Sequence, residues 1–177
     1  MIAGILAAVA GGGGAAGAMT AIASTTLGSA TASVTFNSIP ATYDDLMLVT
    51  YGVSASGAST TLQFNGVSTT TYSNTYLYGD GASALSSRGS NQTVIYSSIA
   101  SAPVMSQTLH IINYANTSNF KTTISRTAQD DNGSGYTDLI VGLWRSTSAI
   151  TSLTVGNNSY SFASGSVFAL YGIKKAA

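Results

Sequence analysis

From Ser33 onward the chain is written in short runs of Thr, Ser, Val, Ile and Tyr, each cut off by Gly, Asn or Ser. This grammar constrains the fold more than any other feature. β-Branched and aromatic side chains suit a pleated, half-buried surface, and no segment after Ser33 shows the 3.6-residue apolar period of a helix. The clearest run is DLMLVTYGV, where Leu46 and Leu48 alternate with Met47 and Val49. Both faces are apolar, which predicts a central strand. TLHIINYA behaves alike, with Leu109 and Ile111 against Ile112 and Tyr114. DLIVGLWRS sets Leu139, Val141 and Leu143 against Ile140 and Trp144, and SVFALYGI sets Val167, Ala169 and Tyr171 against Phe168 and Leu170.

Weaker runs lie between: SVTF from Ser33, TTLQF ending at Phe64, TVIYSSI from Thr93, FKTTISRTA from Phe120 and ITSLTV from Ile150. About nine strands at these spacings predict an all-β, two-sheet antiparallel sandwich, jelly-roll-like. Asn65-Gly66, Gly79-Asp80-Gly81, Asn132-Gly133 and Gly156-Asn157-Asn158 supply residues that tolerate positive φ in tight turns. The length of 177 residues suits one such domain, here residues 31–177, preceded by an arm over residues 1–30.

Charged residues make up 7% of the chain: six Asp, no Glu, three Lys and three Arg, with a formal net charge of zero. A chain with no net field and no basic cluster lacks the means to bind a phosphate backbone, so no nucleic-acid partner is expected. Zero net charge also removes the repulsion that keeps copies apart, so a homo-oligomer or an assembly component is expected. There is no cysteine and only one histidine, His110. Disulfides and thiolate metal sites are excluded, and a zinc site or a Ser-His-Asp relay would have to pass through that single imidazole. His110 sits in an apolar run and reads as a hydrogen-bonded core or interface residue. No cofactor, metal or enzymatic activity is expected.

Two carboxylate pairs, Asp44-Asp45 and Asp130-Asp131, stand beside strand ends. Neighbours on a strand point to opposite faces, and an EF-hand-like loop needs a bidentate Glu that this chain lacks, so both pairs read as turn and edge solvation. GDGAS, from Gly79 to Ser83, lacks the Lys of a phosphate-binding loop and reads as a hairpin turn. The ten tyrosines are more suggestive. Tyr72, Tyr76 and Tyr78 fall within one strand's length, and tyrosines among Ser, Asn and Gly make adaptable contact surfaces or saccharide platforms. A tyrosine row covering one sheet is the plainer alternative.

The first nineteen residues, MIAGILAAVAGGGGAAGAM, carry no charge, and no Lys or Arg precedes Arg88. A secretory signal needs a basic start, and a membrane span needs about 20 strongly apolar residues, whereas Ile2–Ala10 is followed by four glycines. Six glycines between Gly4 and Gly17 would cost a helix on the order of 5 kcal/mol relative to alanine. No membrane partner is expected. Small, uncharged residues allow close backbone approach to another chain, so the segment reads as an assembly arm in which Ile2, Ile5, Leu6, Val9, Gly12 and Gly13 meet a partner.

Six stretches in order, SVTFNSIPATYDDLMLV, LQFNGVSTTTYSNTYLYGDG, IINYANTSNFKT, GLWRST, AITSLTV and the terminal LYGIK, resemble a family of small virion structural proteins of tailed bacteriophages. The resemblance spans Ser33 to Lys175, about four fifths of the chain. It implies a non-enzymatic component located in the virion: a capsid decoration or cement protein, or else a head- or tail-fibre or tail-tip subunit, with a trimer among its options, that binds host surface glycans. The partners implied are other virion proteins, the major capsid protein or tail and fibre components. The family pattern offers no catalytic residues, and its usual start lies near Ile22, without the Gly/Ala stretch. A secreted carbohydrate-binding module with a cleaved leader is the remaining alternative.

Overall fold

The computed structural model describes residues 18–53, 59–98 and 104–174, and all of its regular structure is β. Twelve strands follow in chain order: β1 (Met19–Thr26), β2 (Ser33–Phe36), β3 (Asp45–Val53), β4 (Thr60–Phe64), β5 (Tyr72–Gly79), β6 (Ala84–Gln92), β7 (Ile95–Tyr96), β8 (Val104–Ile112), β9 (Lys121–Asp131), β10 (Ser134–Trp144), β11 (Leu153–Asn157) and β12 (Val167–Ile173). They form an eight-stranded sheet in the order β1-β12-β3-β8-β9-β10-β5-β6 and a four-stranded sheet in the order β2-β11-β4-β7. Every pairing is antiparallel. The expected two-sheet architecture is therefore present.

The four long apolar runs become β3, β8, β10 and β12, all interior strands of the large sheet. Three strands go beyond the expected nine. β1 lies inside the region assigned to the arm, yet it pairs with β12 from Met19 to Thr26. The sheet thus begins well before residue 31. β5 and β6 form a hairpin whose Ser- and Asn-rich sequence carries little apolar alternation, and β6 is exposed along most of its length. Conversely, TVIYSSI shrinks to the two residues of β7.

The core is the layer between the sheets. Leu46, Leu48, Leu109, Ile111, Phe168 and Leu170 from the large sheet meet Val34, Phe36, Leu62, Phe64, Leu153 and Val155 from the small one. Period-two alternation makes this possible, as in β11, whose Leu153 and Val155 point inward while Thr154 does not. At one point the layers are joined by aromatic rings. Tyr72 and Trp144, paired across β5 and β10, stack with centroids 6.2 Å apart, and Phe64 of the small sheet lies 5.5 Å from Trp144. The Tyr72 hydroxyl accepts from the Phe64 backbone N–H at 3.1 Å and donates to the Val67 carbonyl at 2.9 Å. Towards the other end the interior turns polar: the buried Thr60 and Ser97 hydroxyls lie 2.9 Å apart, the Gln107 amide donates to Thr60 and to the Ser97 carbonyl, and Ser125 donates to the same carbonyl.

The turns follow their residues. Asn132 and Gly133 both take positive φ between β9 and β10, the two-residue hairpin in which left-handed residues match strand twist. Asn65 and Gly66 are also left-handed, and there the side chain adds a latch. Asn65 Nδ2 donates to the Ala149 carbonyl at 2.8 Å, while its Oδ1 accepts the backbone N–H groups of Thr151 (2.8 Å) and Ser152 (3.1 Å). Gly172 is required for a different reason: a β-carbon there would fall 2.2 Å from the Tyr43 ring, so the ring packs directly on backbone.

Replacing Asn65 with Ala strands two backbone donors and a carbonyl. A loss of about 2–3 kcal/mol is expected in urea unfolding. Tyr72→Phe, which keeps the ring and deletes the hydroxyl, should cost about 1–3 kcal/mol by the same measurement.

Candidate interaction surface

The apolar side chains that do not face the core define the most distinctive surface. Along β10 the inward residues Asp138, Ile140, Gly142 and Trp144 are buried, and the alternate residues point away from the small sheet. Of these, Leu139 is 42% and Val141 43% exposed. Strand register sets Val141 beside Ile124 of β9 and Leu139 beside Leu77 of β5, the latter 53% exposed. Continuing across β8, β3 and β12, the same face presents Ile112, then Met47 and Val49, then Ala169 and Tyr171, all half-buried, with Tyr51 exposed at its margin.

Few charges interrupt this face. Arg126 projects from β9 between Thr108 and Leu139, and forms no hydrogen bond or ion pair with the described residues. His110 Nε2 meets Asp45 Oδ2 at 3.0 Å, while Asp45 Oδ1 accepts the Asn113 N–H at 2.7 Å. That pair is locally satisfied. Three open hollows of about 380, 360 and 510 Å³ surround Arg126. Leu139 borders the first two and Thr108 the last two, so the guanidinium stem stands as a post between a mainly apolar hollow on the Leu77–Leu139 side and a Ser/Thr-lined one on the β8 side.

The predicted site residues fall elsewhere. Ile2, Ile5, Leu6, Val9, Gly12 and Gly13 lie outside the described residues. Tyr72 is fully buried and belongs to the core, which corrects its reading as a contact residue: the small sheet covers the start of β5, where its ring meets Phe64 and Trp144. Tyr76 and Tyr78 share the Tyr72 side of β5 and are half-buried, whereas Leu77 between them faces outward and is the more exposed. His110 lies on the outer face with its side chain one-third exposed, not in the core, because β8 turns Leu109 and Ile111 inward instead. Asp45 is buried against His110 and Asn113 rather than solvated. Asp80 Oδ1 accepts the N–H groups of Ala82 and Ser83, so GDGAS is a hairpin turn, and these bonds hold the carboxyl below its ordinary range.

Sequence reasoning missed Leu77, Ile124, Arg126, Leu139 and Val141 as surface residues. The signal is present in the doubly apolar strands, whose pattern predicts a central position in the sheet but does not say whether both faces are covered. Among the described residues, the large sheet is covered on one face.

The quoted motifs do structural work at one end of the sandwich. Lys121, opposite Trp144 in register, is buried and donates from Nζ to the carbonyls of Asn119 (2.8 Å) and Thr147 (3.2 Å). Arg145 reaches the Thr70 carbonyl and Asn91 Oδ1. The Tyr114 hydroxyl donates to the Pro40 carbonyl. Burial lowers the Lys121 pKa and raises those of Tyr72 and Tyr114, in each case favouring the neutral form.

Among the described residues, no group of three His, Cys, Asp or Glu could hold a metal, and no helix is long and apolar enough to cross a membrane. No protein-family model and no curated protein matches the sequence.

Lys121 binds its proton less tightly in the folded chain than in the unfolded one, where the value is near 10.5. Between the two values the unfolded state holds more protons, so stability rises with pH. The stability of the native chain relative to Lys121→Met should therefore increase from neutral pH towards 10.5 in paired urea titrations. A flat difference would show that the ammonium is not held against its charge.

Proposed function

We propose that the chain is a non-enzymatic structural component of a bacteriophage virion, a decoration or cement protein on the capsid exterior, anchored by the Gly/Ala-rich arm that precedes β1. The observation that carries this reading is the division of labour in the fold. Residues of the quoted stretches, Asn65, Tyr114, Lys121, Arg145 and Gly172, hold loops and strands together, while an apolar sheet face with few charges is left uncovered among the described residues. A body of that kind serves by contact. Covering apolar surface across neighbouring subunits contributes about 25 cal/mol per Å², and repeated over a shell such contacts resist internal pressure. The finer topology belongs to the same proposal: a jelly-roll-like sandwich with an extended Gly/Ala arm, working as a homo-oligomer among other virion proteins and without cofactors.

The second reading, a fibre or tail-tip subunit that binds host glycans, draws on Tyr76 and Tyr78, whose half-buried rings lie on a β5–β6 hairpin that is otherwise rich in Ser, Asn and Gly. Purified particles of the phage that encodes the chain separate the two. A decoration protein is present in many copies by quantitative mass spectrometry, and deleting residues 1–20 makes particles burst at lower temperature while adsorption persists. Stable particles with lost adsorption would establish the fibre reading instead. Absence of the chain from particles would overturn both.

A further inference from the structure

We infer that Asn132, at the tip of the β9–β10 hairpin, is a self-modification site: the backbone nitrogen of Gly133 closes on its side chain, ammonia leaves, and the residue becomes aspartate or isoaspartate. The inference goes beyond the virion role and is independent of it.

The chain contains two Asn-Gly pairs, Asn65-Gly66 and Asn132-Gly133, and both asparagines are left-handed, with φ of 53°. A following glycine leaves the backbone nitrogen unshielded, so each pair holds nucleophile and carboxamide side by side in the same short stretch of chain. By sequence the two are equivalent. The fold separates them. Asn65 is pinned: its Nδ2 donates to the Ala149 carbonyl, and its Oδ1 accepts the N–H groups of Thr151 and Ser152. Its own N–H donates to the Ser152 carbonyl at 3.0 Å. The carboxamide cannot turn towards the Gly66 nitrogen without breaking all three side-chain bonds.

Asn132 is exposed, and its carboxamide makes no hydrogen bond with the described residues. The strands that carry it run past their neighbours. β8 pairs with β9 only as far as Ala128, and β5 with β10 only as far as Thr137, so residues 129–136 are paired with each other alone. A lone two-stranded ribbon opens more readily than sheet flanked on both sides, and a left-handed asparagine at its tip adds backbone strain. Opening supplies the rotation about Asn132 that ring closure needs. Asp130 Oδ1 already accepts the Gly133 N–H at 3.1 Å, the proton that has to leave.

The Gly133 nitrogen bonds to Asn132 Cγ as the Cγ–Nδ2 bond breaks. The amide proton passes through the Asp130 carboxylate to the departing nitrogen, which leaves as ammonia. Water then opens the succinimide at either carbonyl: one route gives aspartate, and the other carries the chain through the side-chain carbon as isoaspartate. Either product sets a third carboxylate beside Asp130 and Asp131 and moves the net charge from zero to minus one. Isoaspartate also adds a backbone carbon to a two-residue turn, which unpairs the tip.

The full chain, incubated in heavy-oxygen water at mildly alkaline pH and then cut with trypsin, tests this. Cleavage after Arg126 and Arg145 isolates Asn132 in the peptide Thr127–Arg145, while Asn65 stays in Met1–Arg88. Mass spectrometry should find heavy oxygen entering at Asn132, with isoaspartate among the products, about a hundredfold faster than at Asn65, the factor that the three latch bonds imply. In urea, where latch and hairpin are both lost, the two rates should agree within about threefold. Asn132→Gln should keep the label out of its peptide, and Asp130→Asn should slow the conversion about tenfold or more. Equal rates in the native chain, conversion at Asn65 alone, or none at Asn132 would overturn the inference. A native rate in Asp130→Asn would overturn the part given to that carboxylate.

Discussion

The interaction on which the rest of the structure depends is the join between the two sheets at Phe64, Tyr72 and Trp144. An eight-stranded sheet and a four-stranded sheet do not match in width, so the small sheet must be fixed at a definite place on the large one. Ring packing supplies apolar area, and the Tyr72 hydroxyl adds direction by bonding to the backbone of the β4 turn from a side chain on β5. A hydroxyl buried this way is worth keeping only if its bonds are made, which ties the register of both sheets to a single residue. Trp144 contributes through its packing, its buried Nε1 making no hydrogen bond to the described residues.

Around that join the loops at one end of the sandwich brace each other through backbone carbonyls. Asn65, Lys121, Arg145 and the Tyr114 hydroxyl each reach across tens of residues to a carbonyl in another loop. With so few charges in the chain, polar groups of the loops are satisfied by backbone rather than by ion pairs, and His110–Asp45 is the one salt bridge among the described residues. Lys121 is the extreme case: a buried ammonium held by two carbonyls instead of a carboxylate. Such a group contributes specificity of loop placement at a cost in desolvation.

How much of this was legible follows from particular residues. The long strands could be read because β3, β8, β10 and β12 are continuous apolar runs, and the β9–β10 hairpin because Asn-Gly demands left-handed backbone. β5 and β6 escaped because a Ser/Asn-rich hairpin is set by pairing with β10, not by its own pattern. Tyr72 could not be told from Tyr76 and Tyr78, since the same alternation serves all three and only the position of the small sheet decides which is covered. The outer face was half legible. Doubly apolar strands were recognised as central, but centrality in a sheet and burial of both faces are separate conditions, and one sequence states only their product.

That distinction bears on how the chain avoids uncontrolled association. Both edges of the large sheet are long, β1 over eight residues and β6 over nine, and β1 carries neither charge nor proline. Edges of that kind ordinarily rely on charge or irregularity to stay apart. Here each edge pairing has a register shift, between Ala21 and Ala23 on β1 and between Tyr72 and Asn74 beside β6, and Arg88 with left-handed Asn91 stands on β6. Bulges twist an edge away from flat pairing. The sheet face, by contrast, has regular register across β10, β9, β8 and β3 with no such interruption. The chain thus disfavours growth along its hydrogen-bonding direction, while its sheet face carries no comparable interruption of register.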